Sequence, residues 1–223
     1  MKPTKALDWL LEKDQPAVRY LALTRLTGKS EDAPEVQAAK KSITKRGWGA
    51  EILAKQNAGG WWVSDERAYV PKYLSTNWML LVLSDLGLTK EDPRIAKAAA
   101  WWMRQLATED GGFAPSGGKR GHLCTTGNTA RALVRFGYAD HPKVKGAFKW
   151  LAENRDKKGG WSCWGSGRNL DSWEGMSAFA VYPRDTFIVM NASASDSAEM
   201  VVVLFDIATG GPKRIDRADP GIC

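Results

Sequence analysis

The chain has 223 residues, 43% of them hydrophobic, with 32 Lys and Arg against 25 Asp and Glu for a net charge of +7. That length and apolar content suffice to bury one sizeable core, so residues 1–223 are expected to form a single domain. The basic excess does not point to nucleic acid, because the cations (Lys40, Lys41, Lys45, Arg46, Lys143, Lys145, Lys149) are spread among helical segments and no nucleic-acid motif accompanies them.

Along the chain, four segments share one pattern: Asp14-Gln15-Pro16-Ala17-Val18, Asp32-Ala33-Pro34-Glu35-Val36, Glu91-Asp92-Pro93-Arg94-Ile95 and Asp140-His141-Pro142-Lys143-Val144. Each reads as a helix start. Proline fits the first turn because it has no N–H to lose, and the acid is expected to accept from the orphan N–H groups there. Helical spacing follows in Ile95, Ala98, Ala99, Trp102 and in Val144, Ala147, Phe148, Leu151. Two further apolar segments, Tyr73 to Leu86 and Leu123 to Phe136, end at Gly87 and Gly137, as a helix C-cap requires.

Between these helices a second pattern recurs: Asn57-Ala58-Gly59-Gly60-Trp61-Trp62, Glu109-Asp110-Gly111-Gly112-Phe113 and Lys157-Lys158-Gly159-Gly160-Trp161. Gly59, Gly111 and Gly159 stand 52 and then 48 residues apart, the mark of stacked, like supersecondary units. The expected unit is a helix, a short turn, an acid-Pro helix and a Gly-Gly-aromatic loop leading to the next helix, giving about ten helices and no sheet. Gly60, Gly112 and Gly160 are expected to hold tight turns with positive φ. Trp61, Phe113 and Trp161 would then cover the helix ends, an indole N–H reaching a free carbonyl.

Lys145-Gly146-Ala147-Phe148-Lys149-Trp150-Leu151 with Arg155 and Gly159-Gly160-Trp161 resembles the QW motif of squalene and oxidosqualene cyclases, Arg155 standing where the motif has Gln. Ile52 with Gln56-Asn57-Ala58-Gly59-Gly60-Trp61 keeps the Gln, and Lys97-Ala98 with Trp101-Trp102 and Gly111-Gly112-Phe113 is a looser copy. Over roughly residues 45–182 the chain resembles the terpenoid cyclase/protein prenyltransferase superfamily. The resemblance implies an all-α fold, a repeat α/α toroid, here a partial or open ring of about five helix pairs. In that family the motif is a structural clamp, so it speaks for fold and not for chemistry.

Residues 185–223 change character, with no Trp and no Gly-Gly-aromatic step, and Met200 to Phe205 is a β-rich apolar run that fits either a buried helix or a strand. Asp171 to Phe179 reads as the start of another inner helix whose acid-Pro partner never follows. Two outcomes are open for its apolar flank (Met176, Phe179, Val181). Residues 194–208 fold back as an outer helix, with Ala198, Val201, Val202 and Phe205 at helical spacing, or a second copy covers it in a homodimer.

The chemistry is less legible. His122, Cys124, Cys163 and Asp171 fall where inner helices begin, and such a set suits zinc; the resemblance adds that prenyltransferases bind zinc through Asp, Cys and His. Asp171 is also the candidate catalytic acid. The alternative leaves the two cysteines as small buried hydrophobes and Asp171 as a cap. The resemblance would require an Asp-x-Asp-Asp or Asp-Cys-Thr segment for class II cyclisation; here Leu123 precedes Cys124-Thr125, and a leucine cannot donate a proton. Trp62, Tyr69, Tyr73, Trp78, Trp164 and Trp173 lie on or beside inner segments and would line a site for an isoprenoid-like or other apolar ligand, or else fill a collapsed bundle. The functions left open are therefore an apolar-ligand binder, a metal-assisted transferase or degenerate cyclase, and an assembly module.

No basic start precedes an apolar run, no stretch approaches the ~20 residues of a membrane span, and Cys124, Cys163 and Cys223 are irregularly spaced. A cytoplasmic protein without a transmembrane segment is expected, peripheral membrane contact remaining open.

Overall fold

A computed structural model describes residues 5–154 and the backbone of four strands between 177 and 217. Every regular element assigned up to Glu153 is a helix: α1 (Lys5–Leu10), α2 (Pro16–Leu21), a π-helical turn (Ala22–Leu26), α3 (Pro34–Ser42), α4 (Gly47–Ala54), α5 (Thr76–Asp85), α6 (Pro93–Leu106), α7 (Leu123–Arg135) and α8 (Pro142–Glu153). The all-α reading holds for this repeat. One compact unit comprises the chain up to Trp102 with Arg135–Tyr138, and a second comprises Met103–Val134 and the chain from Ala139 on. No helix among the described residues is long and apolar enough to cross a membrane.

All four acid-x-Pro segments start helices, and each helix begins at its proline. The capping differs from expectation. The N-cap is the residue directly before proline, so the acids Asp14, Asp32 and Asp140 stand one position too early to cap. Only where that preceding residue is itself acidic does a carboxylate serve: Asp92 accepts the Arg94 backbone N–H at 2.9 Å. At α8 the imidazole Nδ1 of His141 accepts from Lys143 N instead. Helix α6 buries Ile95, Ala98, Ala99, Trp102 and Leu106 completely, the stripe expected for a helix packed along one face. Gly87 and Gly137 have φ +83° and +93° and end α5 and α7 as anticipated. Around them Lys90 N donates to the Phe136 carbonyl at 2.9 Å and Lys90 Nζ to that of Gly137, while Arg135 pairs with Asp85.

The glycine loops are shifted by one residue from the sequence alignment. The positive φ falls on Gly60 (+100°) and Gly111 (+94°), so Gly60-Trp61-Trp62 corresponds to Gly111-Gly112-Phe113. Gly112 is required for a different reason: a Cβ there would lie 2.8 Å from Gly121 Cα. The clamp aromatic of the first loop is accordingly Trp62, not Trp61. Trp62 is buried and its indole N–H donates to the Ile52 carbonyl at 2.7 Å, near the end of α4. Trp61 packs instead on Trp101, ring centroids 6.0 Å apart. The second Trp of Trp61-Trp62 takes the clamp because the turn residue sits one place later than a Gly-Gly match suggests.

The C-terminal segment corrects two further expectations. β1 (Ser177–Val181), β2 (Thr186–Asn191), β3 (Val201–Asp206) and β4 (Gly211–Arg217) form one antiparallel sheet in the order β1-β2-β3-β4. Residues 177–179 are therefore strand and not the continuation of an inner helix, and the fold-back helix over 194–208 is replaced by β3 at 201–206. Three consecutive β-branched residues, Val201–Val203, resist helix and favour the pleated conformation, outweighing the helical spacing of Ala198 and Phe205. β3 pairs with β2 from Val201↔Asn191 to Asp206↔Thr186, and its register with β4 shifts at Leu204/Phe205. Arg155, Gly160, Trp161, Met176 and Cys223 lie outside the described residues.

The two turn glycines differ in surroundings, which yields a stability test. At Gly111 an added Cβ would find its nearest neighbour at 3.8 Å, so Gly111→Ala carries only the left-handed strain of about 1–2 kcal/mol. At Gly60 the same Cβ would press on Lys97, 3.0 Å from Cγ and 3.3 Å from the backbone carbon. Urea unfolding should show Gly60→Ala as the larger loss; equal losses would refute the close approach to Lys97.

Candidate functional site

Each of the two described glycine-aromatic turns delivers its aromatic residue to a threonine in the first turn of the following helix. Thr76 Oγ1 accepts the Trp62 N–H at 2.9 Å and lies 3.4 Å from the Trp62 carbonyl as donor. Thr126 Oγ1 does the same for Phe113, both at 2.9 Å. Both threonines are fully buried. A hydroxyl can accept and donate at once, so one side chain satisfies both polar groups of a backbone that water cannot reach. In the first loop Gln56 Nε2 adds a clamp, donating to the Gly60 carbonyl at 3.2 Å and to that of Arg94, in the first turn of α6, at 3.1 Å. Lys97 Nζ donates to the Ala58 carbonyl.

The chain between Trp62 and α5 carries the most unusual surface of the first unit. Trp78, in the first turn of α5, lies between two tyrosines: ring centroids are 5.1 Å from Tyr69 and 5.0 Å from Tyr73, tilted at 56° and 49°. Its indole N–H donates to the Tyr69 carbonyl at 2.9 Å, fixing the ring. Such tilted, offset geometry is the favourable one for aromatic pairs. Tyr69 and Trp78 are half-buried, whereas Tyr73 is 71% exposed. Val63, Val70 and Leu74 are also exposed.

The backbone here is strained. Val63 and Tyr73 both have φ +67°, a region that glycine occupies freely and a β-branched valine almost never. Strain of this kind costs about 1–3 kcal/mol per residue and concentrates at functional sites. At the start of α5 the hydroxyl of Ser75 is fully buried and has no hydrogen-bond partner among the described residues. Ser75 is the N-cap of α5, yet its side chain makes no capping bond.

Of the six aromatic residues expected to line a ligand site, the structure brings Tyr69, Tyr73 and Trp78 together. Trp62 is drawn into the clamp instead, and Trp164 and Trp173 lie outside the described residues. Sequence reasoning passed over Val63 and Ser75. A Ser-Thr-Asn run ahead of Trp78-Met79-Leu80 signals a helix cap, and nothing in that signal tells that the cap bond is missing.

The corresponding loop in the second unit is pinned rather than strained. Asp110 Oδ1 accepts from Thr108 Oγ1 at 2.6 Å, from Gly121 N at 2.9 Å and from Gly112 N at 3.3 Å, and the Trp150 indole adds a further bond. Burial alone would raise the Asp110 pKa, but these donors together hold it below the ordinary carboxylate value. Trp150 also sits against Gly121, where a Cβ would meet its ring at 2.8 Å. At the end of this loop His122 Nδ1 is buried with no hydrogen-bond partner among the described residues, and Cys124 is half-buried. Among the described residues no three His, Cys, Asp or Glu side chains are grouped to hold a metal; Cys163 and Asp171 lie outside them. Leu123, at the position the resemblance would give to an acid, is buried.

No protein-family model matches the chain, and no curated protein sequence matches it. Among solved structures it is similar to the apo structure of the type II terpene cyclase MstE from Scytonema, at 16% identity and a TM-score of 0.37. That match covers 67% of this chain and 56% of the cyclase chain, so the chain spans little more than half the length of that protein.

The Asp110 bonds predict a pH dependence. A carboxylate with a depressed folded pKa contributes stability that is complete above about pH 4 and is lost as pH falls through the lower folded value. Asp110→Asn should therefore be less stable than the parent at pH 7, the gap closing as the pH is lowered below about 4. A gap that stays constant across that range in urea melts would show that the charge is not what closes the loop.

Proposed function

We propose that this helical repeat protein belongs with the terpenoid cyclase/protein prenyltransferase superfamily and binds an isoprenoid-like or other apolar ligand at Tyr69, Tyr73 and Trp78, without class II cyclisation. The observation that carries the reading is the half-open aromatic group itself. Trp78 makes two tyrosine ring contacts, 5.1 and 5.0 Å between centroids, in a segment with exposed Val63, Val70 and Leu74 and with strained backbone at Val63 and Tyr73. A flat or branched hydrocarbon laid on such rings removes apolar area from water at about 25 cal/mol per Å². The paired glycine turns and the Gln56 clamp support the superfamily assignment. The leucine at 123 supports the absence of a general acid for alkene protonation.

A second reading, a metal-assisted transferase, rests on His122, whose buried Nδ1 has no hydrogen-bond partner among the described residues and which stands two residues from Cys124. Cys163 and Asp171 would complete its zinc set. Metal analysis of the purified protein separates the readings: zinc at one equivalent, lost from His122→Ala, would establish the second.

Farnesol titrated calorimetrically into the protein tests the first. Tyr73→Ala removes an exposed ring, so the fold should survive while affinity falls by about tenfold or more. No heat of binding to the parent protein, or unchanged affinity in Tyr73→Ala, would defeat the proposal.

A further inference from the structure

We propose that the loop from Arg67 to Leu74 docks this protein on an anionic lipid bilayer, Val70, Tyr73 and Leu74 entering the interface while Arg67 and Lys72 meet the headgroups. The surface does not depend on the ligand proposed above, although Tyr73 belongs to both. The carrying observation is where the apolar exposure falls. Four of the eight large hydrophobic side chains exposed among the described residues (Val63, Val70, Tyr73 and Leu74) stand between positions 63 and 74. Val70-Pro71-Lys72-Tyr73-Leu74 is exposed without interruption. Apolar side chains scattered singly over a surface are ordinary, whereas a contiguous group marks a contact.

The frame around this segment is hydrogen-bonded. The carbonyl of buried Ala68 accepts the Asn77 N–H at 2.8 Å, that of Tyr69 accepts the Trp78 indole N–H at 2.9 Å, and that of Pro71 accepts the Ser75 N–H at 3.1 Å. Both ends of the exposed stretch are thereby fastened to the start of α5, and Tyr73 is kept at φ +67° between them.

The charges select the occupant. Arg67 and Lys72 are exposed, and neither side chain forms an ion pair among the described residues. No acid stands between Arg67 and Leu74; Asp65 and Glu66 precede them, in a turn where Ser64 Oγ accepts from the N–H groups of Glu66 and Arg67. Lysine is depleted from protein interfaces but suits a bilayer surface, where its stem lies along apolar groups and its ammonium stays in water. Tyrosine is amphipathic in the same way and collects at that boundary. A protein partner would also need about 800 Å² from this side, more than five residues present. A bilayer takes a few side chains, and its anionic headgroups answer the cations.

Cosedimentation with vesicles tests the proposal, comparing pure phosphatidylcholine with phosphatidylcholine carrying about 30% phosphatidylserine. The parent should pellet with the mixed vesicles and bind pure phosphatidylcholine at least about tenfold less. Each cation at an anionic surface raises binding about fivefold, so Arg67→Ala/Lys72→Ala should lose about 25-fold. Leu74→Ser should lose about tenfold on the same vesicles. Lys41→Ala/Lys45→Ala, which removes two exposed cations elsewhere in the chain, should change binding by less than about twofold. All five positions are exposed, so the thermal melts of these variants should match the parent. Parent protein left in the supernatant, equal losses in the two double variants, or unchanged binding by Leu74→Ser would each overturn the proposal, the last two reducing the attraction to the net charge of the chain. Concentration-dependent dimerisation abolished by Leu74→Ser, without pelleting, would assign the loop to a second copy and overturn it as well. Farnesol titration in vesicle-free buffer reads the ligand proposal separately, so either can fail alone.

Discussion

Two threonine hydroxyls, Thr76 and Thr126, hold the arrangement on which the rest of the described repeat depends. A glycine turn followed by a large aromatic residue buries a stretch of backbone whose N–H and C=O lie in no regular element, and burial of such groups unbonded would offset much of what the ring contributes. Each threonine meets both groups from the first turn of the following helix. Its β-branched side chain has few rotamers to lose, so the hydroxyl is held in place at little entropic cost. With the latch closed, Trp62 and Phe113 are buried.

The two loops closed by these latches then diverge. In the second, Asp110 gathers donors from Thr108, Gly112, Gly121 and Trp150, and the chain to α7 is pinned. In the first, Trp62 and Thr76 are 14 residues apart against 13 for Phe113 and Thr126, and no acid stands at the corresponding place. That loop instead carries two left-handed non-glycine residues and a patch of exposed apolar side chains. Backbone strain and exposed apolar side chains thus fall in one loop, and the multiply bonded carboxylate in its counterpart.

Much of the helical repeat was legible. Proline starts, glycine stops and the Ile95-Ala98-Ala99-Trp102 stripe follow from φ preferences and helical periodicity, which act over a few residues and are written directly in the chain. The same locality explains the failures. Spacing alone could not tell Trp61 from Trp62 as the clamp, because the choice depends on which glycine takes positive φ, and Gly59 and Gly60 are the same residue to any pattern. The 194–208 segment offered both helical spacing and a β-branched run, and pairing with β2 and β4 favoured the strand.

The candidate site divides along the same line. Tyr69, Tyr73 and Trp78 were recognisable as aromatic residues near a helix start, and the sequence by itself determined that the chain up to Glu153 is helical with glycine-aromatic joints. It also determined that the residue types for alkene protonation are missing from the position the resemblance assigns them. Only the tertiary structure decided which rings gather, which indole is spent on the clamp, and that the Ser75 hydroxyl is buried with its cap bond unmade. Helix signals are local and additive along the chain. The unmet hydrogen bond and the strained φ exist only once distant segments have packed, because each is a conflict between what a residue prefers and what its neighbours in space allow.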